Sequence, residues 1–140
     1  MLVHGNWGSR AWWAPVLERT PPGVRAIAYD LRGRGETRGP SGDGSFGSHA
    51  ADLAAFAVAL GLERFALAAH SLGTAVALQY ALERPGALRA LVAVSPTWVD
   101  GMPPSFAVAE HQERLAVDRA YLEAALRAIT PAAPRDAVWE

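Results

Sequence analysis

At 140 residues, 51% apolar and 19% charged, with a formal net charge of −1, the chain reads as one globular domain of the usual ~100–200-residue size. Near-balanced charge provides no electrostatic footprint for nucleic acid or an anionic membrane, so neither is expected as a partner. The absence of cysteine excludes disulfides and thiolate chemistry, and agrees with a reducing, cytoplasmic setting.

The amino terminus, Met1-Leu2-Val3-His4, lacks a basic run followed by a long apolar stretch, so no signal peptide is read there. No window approaches the ~18 apolar residues of a membrane span. Residues 2–4 open as a short strand. Residues 9–19 follow with a helical pattern in which Trp13, Val16 and Leu17 share a face and Pro15 sits in the first turn. A second strand is expected over 24–29. Leu53, Phe56, Ala57 and Leu60 then repeat at helical spacing until Gly61 stops them. A third strand over 64–69 runs straight into a helix over 74–84, which ends before Pro85, and a fourth strand covers 90–95.

This alternation predicts β-α-β units with right-handed crossovers, hence an α/β fold with a parallel sheet of about four strands and flanking helices. Chemistry in such sheets collects at the carboxyl ends of the strands. His4-Gly5-Asn6, Asp30 and Ser71 fall there. From Gly101 the composition shifts: Pro103-Pro104 breaks the chain, 105–129 reads as helical with Leu122, Ala125, Leu126 and Ile129 in an apolar stripe, and Pro131 and Pro134 close it. Residues 1–100 are therefore expected to be the core. Residues 101–140 are expected to form a helical cap or lid, or else a helix that only packs.

Three stretches carry chemistry. In His4-Gly5-Asn6-Trp7-Gly8, between strand and helix, glycines let backbone N–H groups face a developing negative charge. In Ala69-His70-Ser71-Leu72-Gly73, small residues two before and two after a serine allow a strand-to-helix turn tight enough to lift the side chain. A serine capping an ordinary buried helix is the competing reading. In Asp30-Leu31-Arg32-Gly33-Arg34-Gly35, the charges are read as organising the loop by pairing with each other and with backbone.

In this order and spacing, the three stretches resemble the α/β-hydrolase fold family over residues 1 to about 100. The resemblance implies a serine hydrolase acting on a small ester, thioester, lactone or related acyl compound, with Ser71 as nucleophile. It also implies an oxyanion hole from the backbone N–H groups of Asn6 and Leu72, and Trp7 is assigned to the substrate pocket. In the family the acid and the histidine follow the nucleophile on later strands, and the resemblance starts inside the third strand. The chain is accordingly expected to be the incomplete, central part of a truncated enzyme, inactive by itself, with open sheet edges that invite self-association.

No histidine present fits the general base. His4 flanks the oxyanion loop with a structural role, and His70 points away from its neighbour Ser71. His49 is expected on a solvated helix face, and His111 lies in the cap segment. Asp100 is read as a solvated loop carboxylate. Gly42-Asp43-Gly44-Ser45-Phe46-Gly47 matches a dinucleotide fingerprint but does not directly follow a strand, so it reads as a flexible loop. Trp12 and Trp13 are expected to pack the first helix. No metal and no cofactor are expected. A non-catalytic module of the same fold, binding a small molecule or a protein, remains the alternative.

Overall fold

A computed structural model describes residues 1–37, 43–97, 113–115 and 117–129. The chain divides into two compact units, Met1–Val99 and Asp100–Glu140. The first holds a parallel sheet of β1 (Leu2–Val3), β2 (Ala28–Tyr29), β3 (Phe65–His70) and β4 (Leu88–Val94), in the order β2-β1-β3-β4. Helices α1 (Ala14–Leu17), α2 (Phe46–Ala59) and α3 (Leu72–Glu83) complete it.

The core lies on one side of the sheet. Phe65, Leu67 and Ala69 alternate along β3 with more exposed neighbours. They pack with Val3, with Ala50, Leu53 and Ala57 of α2, and with Val76, Ala77 and Tyr80 of α3. The helical spacing of Leu53, Phe56 and Ala57 thus reports a buried face, and Gly61, at φ 66, ends α2 where a side chain would strain. Ser45 starts that helix, its Oγ accepting from Ser48 N at 3.1 Å.

Two expected elements are shorter than their patterns. The strand over 24–29 contracts to Ala28–Tyr29, because β1 offers only Leu2 and Val3 as ladder partners. The helix over 9–19 splits into a 3-10 turn, Arg10–Trp13, and α1. Pro15 has no N–H to give to the carbonyl four residues back, so an α-helix cannot run through it from Ser9. Val16 is 47% exposed while Trp13 and Leu17 are half-buried, so the expected apolar face is only partly covered. Trp12 packs on the ring of His70, with centroids 5.6 Å apart, and against Gly8.

In the second unit, α4 (Arg119–Ile129) is capped by Asp118, whose carboxylate accepts from Tyr121 N at 2.9 Å. The ion pairs Arg119–Glu123 and Arg114–Asp118 run along the helical surface. Residues 98–112, with Asp100 and His111, lie outside the described residues, as do the side chains of Leu126 and Ile129 in the expected stripe.

Candidate active site

Ser71 joins β3 to α3 at φ 49 and ψ −122, a left-handed conformation that costs a non-glycine residue roughly 1–3 kcal/mol. Two further non-glycine residues, Trp7 at φ 62 and Ser95 at φ 43, sit past the ends of β1 and β4. Backbone strain is thus concentrated along the carboxyl edge of the sheet. Ser71 occupies the N-cap position of α3, yet its hydroxyl makes no capping hydrogen bond, which removes the ordinary-cap reading. The turn is held by backbone instead: Ser71 N donates to Val94 O at 3.0 Å and Thr74 N to Ser71 O at 2.8 Å. Thr74 Oγ1 also donates to Ser71 O and accepts from Thr97 N at 3.1 Å, tying the turn to the segment after β4.

The small neighbours are required sterically. A Cβ at Gly73 would lie 2.6 Å from His4 O and 2.9 Å from Val3 O, so α3 runs against β1 with room for a hydrogen only. Ala69 is fully buried. A Cβ at Gly5 would lie 2.9 Å from Ser71 Cβ and 2.8 Å from His70 Nδ1. The loop after β1 therefore passes within contact of the serine.

His4 sets that loop's geometry. It is fully buried, and its Nε2 accepts from Leu31 N at 3.0 Å, so the proton sits on Nδ1, which donates to Gly5 O at 2.8 Å. Carbonyl and N–H point to opposite sides of a trans peptide, so fixing Gly5 O toward His4 turns the Asn6 N–H the other way. Burial lowers the His4 pKa and keeps the ring neutral, against smaller opposing effects of Gly5 O and Asp30. Arg34 grips the same loop: its Nη2 donates to Asn6 Oδ1 at 2.8 Å, and its guanidinium stands 5.9 Å from the Trp7 ring centre.

Asp30 organises the glycine-rich loop, as its charges implied. Its buried carboxylate accepts from Arg10 N at 2.6 Å and Glu36 N at 3.0 Å. Burial raises its pKa, but these N–H groups and the Arg10 charge outweigh that, leaving it below the ordinary carboxylate range. A Cβ at Gly35, φ 52, would collide with that carboxylate. Arg32 forks onto Asp52, with Nε to Oδ2 at 2.6 Å.

Asn6 and Leu72 share the lining of one cavity of about 440 Å³, together with Arg32, Arg34 and His49. Trp7 is 36% exposed and is not among the lining residues. His49 corrects the expectation of a solvated face: it is 9% exposed, and its Nδ1 is buried with no hydrogen-bond partner among the described residues. Sequence spacing held no signal for this, because its burial depends on loops distant in the chain. His70 Nδ1 is likewise unpartnered, and no described side chain hydrogen-bonds the Ser71 hydroxyl. Of the fingerprint-like glycine stretch, the described residues form a helix cap, with Asp43 accepting from Ser45 N and Ser48 Oγ.

The strained serine between a parallel strand and a helix, faced by a glycine loop, defines a hydrolase fold. A family model described as alpha/beta hydrolase fold matches residues 1–128, and the chain belongs to this family. Relatives named "Putative carbamate hydrolase RutD" are 38% identical over 96 residues in Escherichia coli O44:H18 and 35% over 106 in Rhizobium rhizogenes. These alignments take in 68% and 75% of the chain but 36% and 40% of the relatives. A thermophilic esterase from Thermogutta terrifontis, solved with malate bound, superposes with a TM-score of 0.74 at 29% identity, over 84% of this chain and 44% of the esterase. A monoacylglycerol lipase from Paleococcus ferrophilus gives 0.63 at 28% identity, over 84% and 46%. The chain thus spans less than half the length of these relatives. No helix among the described residues is long and apolar enough to cross a membrane.

Proposed function

We propose that the protein is a serine hydrolase cleaving a small ester, thioester, lactone or related acyl compound. In this reading Ser71 Oγ attacks the carbonyl carbon while its proton passes to a base. The carbonyl oxygen becomes an oxyanion facing the N–H groups of Asn6 and Leu72. Collapse expels the protonated leaving group and leaves an acyl-Ser71 ester, which water hydrolyses. A carbamate, the compound class in the RutD name, is an acyl compound open to the same attack. The reading rests on the strained Ser71 turn with a hydroxyl uncommitted to capping. His4 and His49 are buried and the His70 ring packs at a tilt against Trp12, so the base and its acid are assigned to residues outside the described core. Residues 101–140 are assigned to a cap segment, and Trp7 to the substrate pocket.

The test is labelling by a fluorophosphonate, located by mass spectrometry. Ser71 is expected to react ahead of Ser9, Ser45 and Ser48, and faster when imidazole supplies the base; Ser71→Ala should abolish this. Labelling spread evenly over the serines would favour the alternative, a non-catalytic binding module.

A further inference from the structure

The loop that carries the Asn6 N–H is held from outside by a residue that takes no part in the acyl-transfer step. Gly5, Asn6, Trp7 and Gly8 form a turn in which Trp7 takes φ 62, at the place where such turns normally put glycine. The turn's own closing bond, Gly8 N to Gly5 O, is 3.4 Å long. That is beyond the usual ~2.7–3.2 Å, so it is a weak hold on a tryptophan at positive φ. His4 Nδ1 fixes Gly5 O, on one side of the Asn6 amide, at 2.8 Å. The other side is held by Arg34, 28 residues along the chain. Its Nη2 donates to Asn6 Oδ1 at 2.8 Å, and its guanidinium stands 5.9 Å from the Trp7 ring centre, within cation–π reach. Arg34 is itself anchored: its N donates to Leu31 O at 2.9 Å, and its O accepts from Thr37 N at 3.0 Å and from Thr37 Oγ1 at 2.8 Å. Two neighbouring arginines are spent on carboxylates, Arg10 on Asp30 and Glu36, and Arg32 on Asp52. Arg34 gives its guanidinium to the loop.

We propose that Arg34 is the positioning residue of this loop, holding Asn6 and the strained Trp7 so that the Asn6 N–H keeps its aim at the carbonyl oxygen of a substrate on Ser71. The role rests on the reading of Ser71 as nucleophile. A donor already in place for a developing charge needs no rearrangement when the charge appears, and that advantage shrinks when the donor wanders. Without Arg34, Trp7 is free to relax toward negative φ, and the Asn6 amide rocks about its one bonded neighbour, Gly5 O. The Leu72 N–H belongs to the first residue of α3 and does not depend on Arg34.

The experiment measures the rate of fluorophosphonate labelling at Ser71, with imidazole as base, in the 140-residue chain and its variants. Arg34→Met should slow labelling about tenfold, short of the ~10²–10³ lost with an oxyanion donor itself. Arg34→Lys, which keeps the charge, should recover part of the loss. Asn6→Ala keeps the backbone N–H but removes the acceptor, so Arg34→Met should cost less in that background; full additivity would overturn the proposal. ¹⁵N NMR of the labelled chains separates positioning from folding. The phosphonyl oxygen should draw the amide protons of both Asn6 and Leu72 downfield in the parent chain, but that of Leu72 alone in Arg34→Met. Loss of both shifts together would overturn positioning in favour of a role in folding. Selective labelling of Ser71 that ignores Arg34, with both shifts kept, removes the role of Arg34 alone. Labelling spread evenly over the serines of the parent chain removes the hydrolase reading and, with it, this role.

Discussion

His4 has both ring nitrogens committed inside the protein, one accepting from Leu31 N and one donating to Gly5 O. Protonation would remove the acceptor at Nε2 and leave a buried N–H facing a cation. The folded state therefore resists a proton that the unfolded chain takes up at the ordinary histidine pKa, and burial lowers His49 and His70 in the same direction. The unfolded state binds more protons, so stability rises with pH through this window and is lost as pH falls below about 6.5. Urea midpoints should fall from pH 7 toward pH 5. His4→Phe should flatten this slope. It should also cost about 2 kcal/mol at neutral pH, because two buried backbone groups lose their partner. An unchanged slope in that variant would mean that other groups carry the acid sensitivity.

At the level of elements, β3, the Ser71 turn and α3 act as one unit pressed onto β1. Gly73 marks the pressure point. The atoms a Cβ would meet there are the backbone oxygens of His4 and Val3, which cannot rotate away as a side chain would. Gly73→Ala is expected to cost about 3 kcal/mol, the upper end of overpacking, and to displace the Ser71 turn. Gly61→Ala is the control: nothing lies within 4 Å of its Cβ position, so only the φ of 66 opposes alanine. That should cost about 1 kcal/mol and leave Ser71 reactivity intact. Denaturation midpoints and fluorophosphonate labelling of the two variants separate these effects. Equal losses would show that helix packing against β1 is not what shapes the turn.

For the whole first unit, the face of the sheet opposite α2 and α3 decides behaviour in solution. Ala66 pairs with Ala90, Ala68 with Val92 and His70 with Val94, so these residues share that face along β3 and β4. Val92 is 54% and Val94 41% exposed, and a further apolar hollow of about 520 Å³ is lined by Val24, Ile27, Leu62 and Val92. β4 is also an edge of the described sheet. An exposed apolar strand with unpaired backbone is a template for association. Sedimentation velocity on the chain should show an average size that grows with concentration, reduced by Val92→Lys. A concentration-independent monomer would count against this.

How much of this was legible in the sequence depends on distance along the chain. Small residues around Ser71, the helical spacing of Leu53, Phe56 and Ala57, and the stop at Gly61 act within a few residues of themselves. The parallel α/β order and the serine turn therefore follow from the order of residues alone. The break of 9–19 between Trp13 and Ala14, just before Pro15, was also local, but the apolar spacing of Trp13, Val16 and Leu17 masked it. The near contact of Gly5 with Ser71, the two bonds of His4, the grip of Arg34 on Asn6 and the burial of His49 were decided only by the tertiary structure. Apart from the bond of His4 to its neighbour Gly5, each joins segments 20 or more residues apart or depends on what surrounds them, as the span of 27 residues from His4 to Leu31 shows. Propensity and spacing describe a residue's neighbours in the chain, whereas burial and hydrogen bonding are set by the neighbours that folding brings to it.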